Sequence, residues 1–138
     1  MAVKFTDNSA QIKGVLNEKA LAWLYEACGE LASQTASNTR RGRTGQTAGS
    51  WTYKIDEDAL EGKVGSPLEN AVWEEFGTGE YALKDNGRKG GWYYQDDYDG
   101  KWHHTFGKTP TRALHNAFIT LKSTLKRRAQ DIFKGVGR

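Results

Sequence analysis

The chain of 138 residues contains one cysteine, two prolines and no long apolar run. A single cysteine excludes an internal disulfide framework, and Cys28 falls on the apolar side of a predicted helix, where a small buried hydrophobe is expected. No apolar run could cross a bilayer and the start of the chain is not a secretion signal, so we expect a protein without membrane association that is kept in a cytoplasm. The length predicts a single domain over 1–138.

Side chains that could converge on an active site are also scarce. His103 and His104 are neighbours on a predicted strand, so they point to opposite faces and cannot easily share a metal ion, and His115 is the only other histidine. Glu74 and Glu75 lie about 100° apart on a predicted helix, where a solvated pair is expected. No nucleophile elbow, phosphate loop, dinucleotide-binding glycine motif or zinc spacing occurs. The sequence therefore predicts no enzyme, catalytic residue, cofactor or metal.

Charge is distributed unevenly along the chain, although the net charge is only +3. Residues 56–99 contain twelve acidic and four basic side chains, whereas residues 122–138 contain six basic side chains and one acidic side chain. In a self-associating protein, an acidic surface facing a basic surface of the next copy steers association and fixes register. In a monomer, the same pattern would be two solvated faces.

Periodic apolar residues predict two long helices. The first runs from an N-cap at Asn17 to the mid-thirties, and the second begins at Thr109-Pro110 and reaches Phe133. Ahead of the first helix, residues 3–5 are predicted to form a short strand and residues 8–14 a loose turn.

Strand patterns predict two hairpins, over 50–65 and 92–106, the second of which turns at Asp99-Gly100. Between them, Ser66-Pro67 favours the start of a short connecting helix that ends at Gly77. Together these elements predict an α+β domain, with an antiparallel sheet of about four strands and the two long helices packed on one face.

Three aromatic residues, Trp92, Tyr94 and Trp102, fall on the strands of the second predicted hairpin. Exposed aromatic rings can stack on nucleic-acid bases, but on paired strands these three are interpreted as cross-strand core partners.

Two basic clusters are candidates for contact with a partner. Residues 33–50 are polar and contain three glycines, which predicts a long mobile loop, and this loop carries Arg40, Arg41 and Arg43. Guanidinium groups bind phosphates and acidic surfaces, so these arginines are expected to contact a partner or line a channel, with a solvated charge run as the alternative. The second cluster, Lys126, Arg127 and Arg128, is a candidate basic interface on the last helix, where cations also favour the helix dipole.

The segment 64–79, and above all its Glu75-Phe76-Gly77-Thr78 block, resembles a pattern of the lambda-like tail components of long-tailed bacteriophages. That family is related to tail-completion and head-to-tail joining proteins, and in it a strand ends in Val-Gly before an alanine, an aromatic residue and Glu-Phe-Gly-Thr. Independently of this resemblance, Phe76 is expected to anchor the short helix to the sheet, and Gly77 is expected to allow the chain to reverse. Thr78-Gly79 is expected to begin an exposed loop.

Three further segments resemble the family in the same order along the chain. Residues 44–51 look like its entry to the first sheet strand, Trp92 with its hairpin looks like its tryptophan-containing insertion, and residues 107–114 look like its entry to the final helix. The sequence departs from the family pattern at Ala48, where a larger apolar residue is usual, and at Arg112 and Ala113, where the family has Pro-Phe.

The resemblance implies a structural virion protein of a tailed bacteriophage or prophage, located in the tail or neck and in the host cytoplasm during assembly. It implies a homo-oligomer, such as a hexameric ring, that contacts tail-tube, connector or neck proteins and has DNA close by in its channel. A small basic nucleic-acid-binding module is the alternative, favoured by an isoelectric point near 9.0 and interleaved aromatic residues. A small nuclease that uses His103 or His104 is the third hypothesis.

Overall fold

The computed structural model describes residues 9–41 and 45–134, which form three α-helices and two separate two-stranded antiparallel sheets. In chain order the elements are α1 (Ser9–Asn38), β1 (Thr52–Asp56), β2 (Glu61–Gly65), α2 (Glu69–Phe76), β3 (Trp92–Gln95), β4 (Trp102–Thr105) and α3 (Ala113–Phe133). The predicted α+β class is confirmed, but the predicted single sheet of about four strands is wrong. None of the described helices is long and apolar enough to cross a membrane.

The two long helices, α1 and α3, pack against each other in opposite directions. Near the end of α1, the Asn38 side chain donates a hydrogen bond to the carbonyl of Ala113 at the start of α3, at 3.2 Å. Farther along, the indole N–H of Trp23 donates to the carbonyl of Leu125, at 2.9 Å. These contacts, separated by about 15 residues of α1, fix the antiparallel arrangement and span roughly 22 Å of helix.

Small side chains fill the interior of this domain. The buried apolar residues within the described ranges are Ala27, Cys28, Ala32, Ala48, Ala71, Ala113, Ala117 and Leu125. Alanine allows helices to approach closely, but each alanine removes little apolar area from water. In the same ranges, seventeen larger apolar or aromatic residues remain exposed. The fold therefore leaves much of its large apolar surface uncovered.

Helix α1 is longer at both ends than its apolar periodicity predicted. It begins at Ser9 and not at Asn17, so the loose turn predicted over 8–14 is wrong for residues 9–14, and the strand predicted over 3–5 lies outside the described residues. It ends at Asn38, so the long mobile loop predicted over 33–50 is wrong for residues 33–38, which are helical. In this last part of the helix Thr35 is fully buried, and its hydroxyl donates to the carbonyl of Leu31 at 2.6 Å.

The first hairpin, β1–β2, packs on α1. Gly62 of β2 lies directly over Cys28, because a Cβ at position 62 would overlap the Cys28 sulfur. The rings of Tyr25 on α1 and Tyr53 on β1 meet edge to face, with their centroids 6.4 Å apart. The prediction that Cys28 is a buried hydrophobe is confirmed, and burial raises the pKa of its thiol.

The second hairpin, β3–β4, stands apart from the rest of the domain. Its register runs from Trp92 opposite Thr105 to Gln95 opposite Trp102. In the part of the chain that the structure describes, the backbones of β3 and β4 approach none of the other helices and strands named above, and the Trp92 ring lies beside Gly79 at the base of the hairpin. The two hairpins do not join into one sheet because the first one lies on α1 and the second extends from the loops between α2 and α3.

The second and third helices begin later than their sequence signals predicted. The Ser66 hydroxyl accepts a hydrogen bond from the amide of Leu68 at 3.1 Å, so Ser66-Pro67 forms a turn ahead of α2, which starts at Glu69. Thr109-Pro110 likewise precedes α3, which starts at Ala113 after Arg112 has adopted a left-handed conformation with φ 56°. In both cases the proline turns the chain toward the helix and does not occupy its first turn.

Gly77 offers a test of the reversal that ends α2. Its φ of 75° and ψ of 173° are accessible essentially to glycine alone, and an added Cβ would lie 2.8 Å from the Tyr81 carbonyl oxygen. We expect Gly77→Ala to lower the free energy of unfolding by about 2 kcal/mol or more, measured by urea denaturation. Gly65→Ala is the control, because a Cβ there meets nothing within 4 Å. Equal effects of the two changes would contradict this account.

Candidate interaction site

The two adjacent glutamates near the end of α2 are buried. Only 2% of the surface of Glu74 and 6% of that of Glu75 is exposed. The prediction of a solvated pair is therefore wrong. A buried carboxylate is strongly destabilising unless cations and hydrogen-bond donors surround it, so the partners of these two side chains determine what they do.

Glu74 holds the segment that leaves the second hairpin. Its carboxylate accepts a hydrogen bond from the Thr111 hydroxyl at 2.6 Å and forms ion pairs with Lys108 and with Arg40, the latter at 3.3 Å. Its backbone carbonyl also accepts a hydrogen bond from the amide of Thr111. Burial alone would raise the pKa of Glu74, but hydrogen bonds from Lys108 and Thr111 and the charges of Lys108 and Arg40 outweigh it and lower the pKa below its usual value.

Glu75 caps the start of α3. Its two carboxylate oxygens accept hydrogen bonds from the amides of Leu114 at 2.8 Å and His115 at 3.0 Å. These amides belong to the first turn of the helix, where they have no partner inside the helix, and an anion there is also favoured by the helix dipole. The Arg112 guanidinium lies 3.8 Å from the same carboxylate. A residue of α2 therefore determines where α3 begins.

The other three residues of the Glu75-Phe76-Gly77-Thr78 block lie where α2 meets the segment that precedes α3. Phe76 differs from its prediction, whereas Gly77 agrees with it. Phe76 does not anchor α2 to a sheet, which corrects the prediction, because its ring is partly exposed with Lys84 and Arg112 near its face at 5.1 and 5.8 Å. Gly77 reverses the chain as predicted. The amide of Thr78 donates to the carbonyl of Lys108, and the amide of Lys108 donates to the Thr78 hydroxyl.

Three glycines lock the base of the second hairpin. Gly79, Gly87 and Gly107 approach so closely that a Cβ on any of them would overlap the backbone of a neighbouring segment. The amide of Glu80 also donates to the carbonyl of Phe106 at 2.9 Å. Gly79 is buried, so the prediction that Thr78-Gly79 begins an exposed loop is wrong. The hairpin therefore leaves the domain from a closely packed base.

One face of this hairpin is aromatic and open to solvent. We call Tyr93, Trp102, His104 and Phe106 the aromatic face, since Tyr93 pairs with His104 across the strands and the other two lie two residues to either side of His104. The ring of His104 lies edge to face against those of Tyr93 and Phe106, with centroid distances of 4.8 and 4.9 Å. Tyr93 is 71% exposed and Trp102 67% exposed.

The opposite face of the hairpin also carries exposed aromatic surface. Tyr94, 43% exposed, lies beside His103, and Trp92 is only partly buried, so the prediction that Trp92, Tyr94 and Trp102 are core residues is wrong. A two-stranded hairpin without a covering layer cannot bury both of its faces. The prediction that His103 and His104 lie on opposite faces is confirmed.

The hairpin turn is acidic. Asp96 and Asp99 accept hydrogen bonds from the backbone amides of Tyr98 and Lys101, each at 2.8 Å, and therefore shape the turn. Asp99 also contacts the His103 ring at 3.0 Å. Potential metal-binding atoms of Asp96, Asp99 and His103 lie within 4.8 Å of one another, and all three residues are partly or fully exposed. These three side chains lie close together because their hydrogen bonds stabilise the turn.

An apolar groove opens between α1, β2, α2 and α3. Its volume is about 550 Å³, and its large apolar lining residues are Leu31, Trp51, Val64, Val72, Phe76, Leu114 and Phe118. Three of these are exposed to solvent, Val72 by 55%, Phe118 by 45% and Phe76 by 38%. The groove is thus a second uncovered apolar surface, separate from the aromatic face.

One arginine of the first predicted basic cluster, Arg40, is held by contacts within the protein. Arg40 binds Glu74 and donates to the carbonyl of Thr109 at 2.6 Å, so it ties the end of α1 to the segment before α3. Arg41 is exposed, and Arg43 lies outside the described residues. A partner or channel role for these arginines stays a prediction.

In the second basic cluster, one residue contacts the neighbouring long helix and the other two face solvent. Arg128 forms ion pairs with Glu26, at 2.9 Å, and Glu30, both on α1, so it joins the two long helices. Lys126 and Arg127 are exposed on α3. Only these two members of the cluster present their charge outward, and their role as a basic interface stays a prediction.

We expect Glu75→Ala to destabilise the protein by about 2 kcal/mol, because two amides of the first turn of α3 lose their acceptor and Arg112 loses its anion. Urea denaturation measures the effect. Glu18→Ala, which removes an exposed carboxylate from α1, is the matched control and should change stability by less than about 0.5 kcal/mol. A Glu75→Ala protein as stable as this control would exclude a capping role.

Glu74 predicts a dependence of stability on pH. Its pKa in the folded protein is lower than the value of 4.5 expected in the unfolded chain, so its contribution is fully present well above pH 4.5 and is lost as the pH falls through the folded value. We expect Glu74→Gln to flatten the acid side of the profile, measured by urea denaturation between pH 3 and 7. Asp85→Asn also removes a carboxylate that pairs with a lysine, Lys89, but that pair is exposed and screened by solvent, so this change should alter the profile far less than Glu74→Gln. A wild-type slope in Glu74→Gln would contradict the expectation.

No protein-family model matches this chain, and no curated protein or solved structure matches it significantly.

Proposed function

We propose that this protein is a structural component of a tailed bacteriophage or prophage particle, acting in tail completion or head-to-tail joining through a self-assembly interface. The observation that carries the proposal is the aromatic face on a hairpin that stands apart from the domain. The Glu75-Phe76-Gly77-Thr78 block and its three companion segments supply the link to phage tails and necks through their resemblance to the lambda-like tail components.

The distribution of apolar surface supports an assembly role. Soluble monomers rarely expose large contiguous apolar patches, and such patches mark surfaces that bind partners. Here Tyr93 and Trp102 are each about two-thirds exposed or more, while the buried interior is mostly alanine. A protein that is complete only after assembly would place its largest side chains in this way.

The rigid base of the hairpin also supports this role. Gly79, Gly87 and Gly107 pack backbone against backbone, and Glu74 fixes the segment that leaves the hairpin through Lys108 and Thr111. A surface held in place before binding loses less conformational entropy when a partner docks. In this proposal, these residues hold a binding element in position and take part in no chemical reaction.

A nucleic-acid-binding module is the alternative, because exposed Tyr93, Tyr98 and Trp102 could stack on bases. The turn between β3 and β4 argues against it, since Asp96, Asp97 and Asp99 outnumber Lys101 there and would repel phosphates. This alternative requires salt-dependent DNA or RNA binding that weakens when Arg41 or Lys101 is replaced.

Particles made without this protein provide the test. In a phage or prophage that encodes it, we expect electron microscopy to show heads and tails that have not joined, or tails of uncontrolled length, and we expect purified normal particles to contain the chain. The double change Tyr93→Ala and Trp102→Ala should reproduce the defect. Ile119→Ala, which removes a 59% exposed side chain from α3 outside the groove lining, should give normal particles. Normal infectious particles in the complete absence of the chain would overturn the proposal.

A further inference from the structure

We propose that the apolar groove of one copy receives the aromatic face of the β3–β4 hairpin of a second copy. This inference rests on the proposed assembly role and names the two surfaces that meet. It requires that the groove is not filled by its own hairpin, that the two surfaces match in size and chemistry, and that their charges are complementary.

The hairpin of the same chain does not occupy the groove. All the residues that line the groove come from α1, β2, α2, α3 and the segments beside them, and none comes from residues 92–106. Within the described ranges, the backbones of β3 and β4 approach none of α1, α2, α3, β1 and β2. Each copy therefore carries one unfilled groove and one uncovered aromatic face.

The two surfaces match in size and chemistry. A groove of about 550 Å³ lies within the range of sites that enclose a mainly apolar group of several rings. Its exposed lining residues Val72, Phe76 and Phe118 offer branched aliphatic and aromatic contacts. Tyr93 and Trp102 are the most exposed large side chains of the aromatic face, and tyrosine and tryptophan are enriched among the residues that dominate interface energetics.

The charges around the two surfaces are opposite. Cations border the groove: Lys84 and Arg112 lie near the face of Phe76, and the Lys122 ammonium lies 5.6 Å from the centre of the Phe118 ring. The one acid in the groove lining, Glu75, is already bound to the amides at the start of α3. The hairpin presents Asp96, Asp97 and Asp99 at its turn. An acidic turn next to a basic rim favours one orientation of docking.

This contact joins two different patches, so it repeats from copy to copy. A heterologous contact of this kind closes into a ring if its rotation allows, and otherwise extends as a filament. It also predicts that a copy with a defective hairpin still accepts the hairpin of a neighbour. That property separates it from a symmetric contact between two hairpins.

The first experiment measures self-association of the full chain by sedimentation and native mass spectrometry. We expect Trp102→Ala to weaken it about thirtyfold, as for an interface hot spot, and Val72→Glu to weaken it similarly by placing an acid in the groove. Ile119→Ala and Ile12→Glu alter exposed residues of α3 and α1 outside the groove lining and should associate like the wild type. Raising the salt concentration should weaken association several-fold, because charge pairs border the contact.

The second experiment mixes the two defective proteins. Trp102→Ala retains its groove and Val72→Glu retains its hairpin, so a 1:1 mixture should form a heterodimer and nothing larger. Wild-type association of Val72→Glu would overturn the groove as the receptor, as would failure of the mixture to pair.

The outcomes separate this inference from the proposed function. A wild-type chain that stays monomeric at every concentration would overturn the copy-to-copy contact, whereas the proposed virion role is judged independently by the particles made without the protein. Association that Val72→Glu abolishes but Trp102→Ala leaves intact would show that the groove binds another segment, and this too would overturn the inference.

Discussion

The burial of two neighbouring carboxylates, Glu74 and Glu75, is the constraint on which the rest of this structure depends. Neither can leave water unless cations and donors are brought to it, and the chain supplies them from 106–115 and from Arg40 at the end of α1. The path of the chain after β4 is therefore determined by charge. Because Glu75 caps α3, the same requirement sets where the last helix begins.

Beside this polar junction, the buried apolar interior of the described residues consists mostly of alanine. Ala48 and Ala113, two of the positions at which the sequence departs from the phage-family pattern, are 5% and 0% exposed. A larger side chain at a site that is already fully packed would require neighbouring backbone to move. The large side chains then remain outside, on the aromatic face and around the groove.

The sequence predicts the elements of this protein better than their arrangement. Local signals located both hairpins, the long helices and the reversal at Gly77, because turn chemistry and periodicity act over a few residues. They missed the helical end of α1, because Thr35 looks like a loop residue until its hydroxyl bonds back to Leu31. They also misjudged Glu74 and Glu75, since the partners Lys108, Thr111 and Leu114 lie more than thirty residues away along the chain. One signal was available, namely aromatic residues on both faces of a hairpin, which a single covering layer cannot bury.

Arg112 connects the folding of this domain to its proposed assembly. It adopts a left-handed conformation that is unfavourable for arginine, and its guanidinium lies beside Glu75 and near the face of Phe76. Glycine at this position would relieve the backbone, yet it would remove a cation that balances a buried carboxylate and borders the groove. The same side chain therefore supports the start of α3 and contributes, with Lys84 and Lys122, to the basic rim of the groove. An acidic hairpin docking there would meet a charge that is already held in position, which favours binding because little ordering remains to be done.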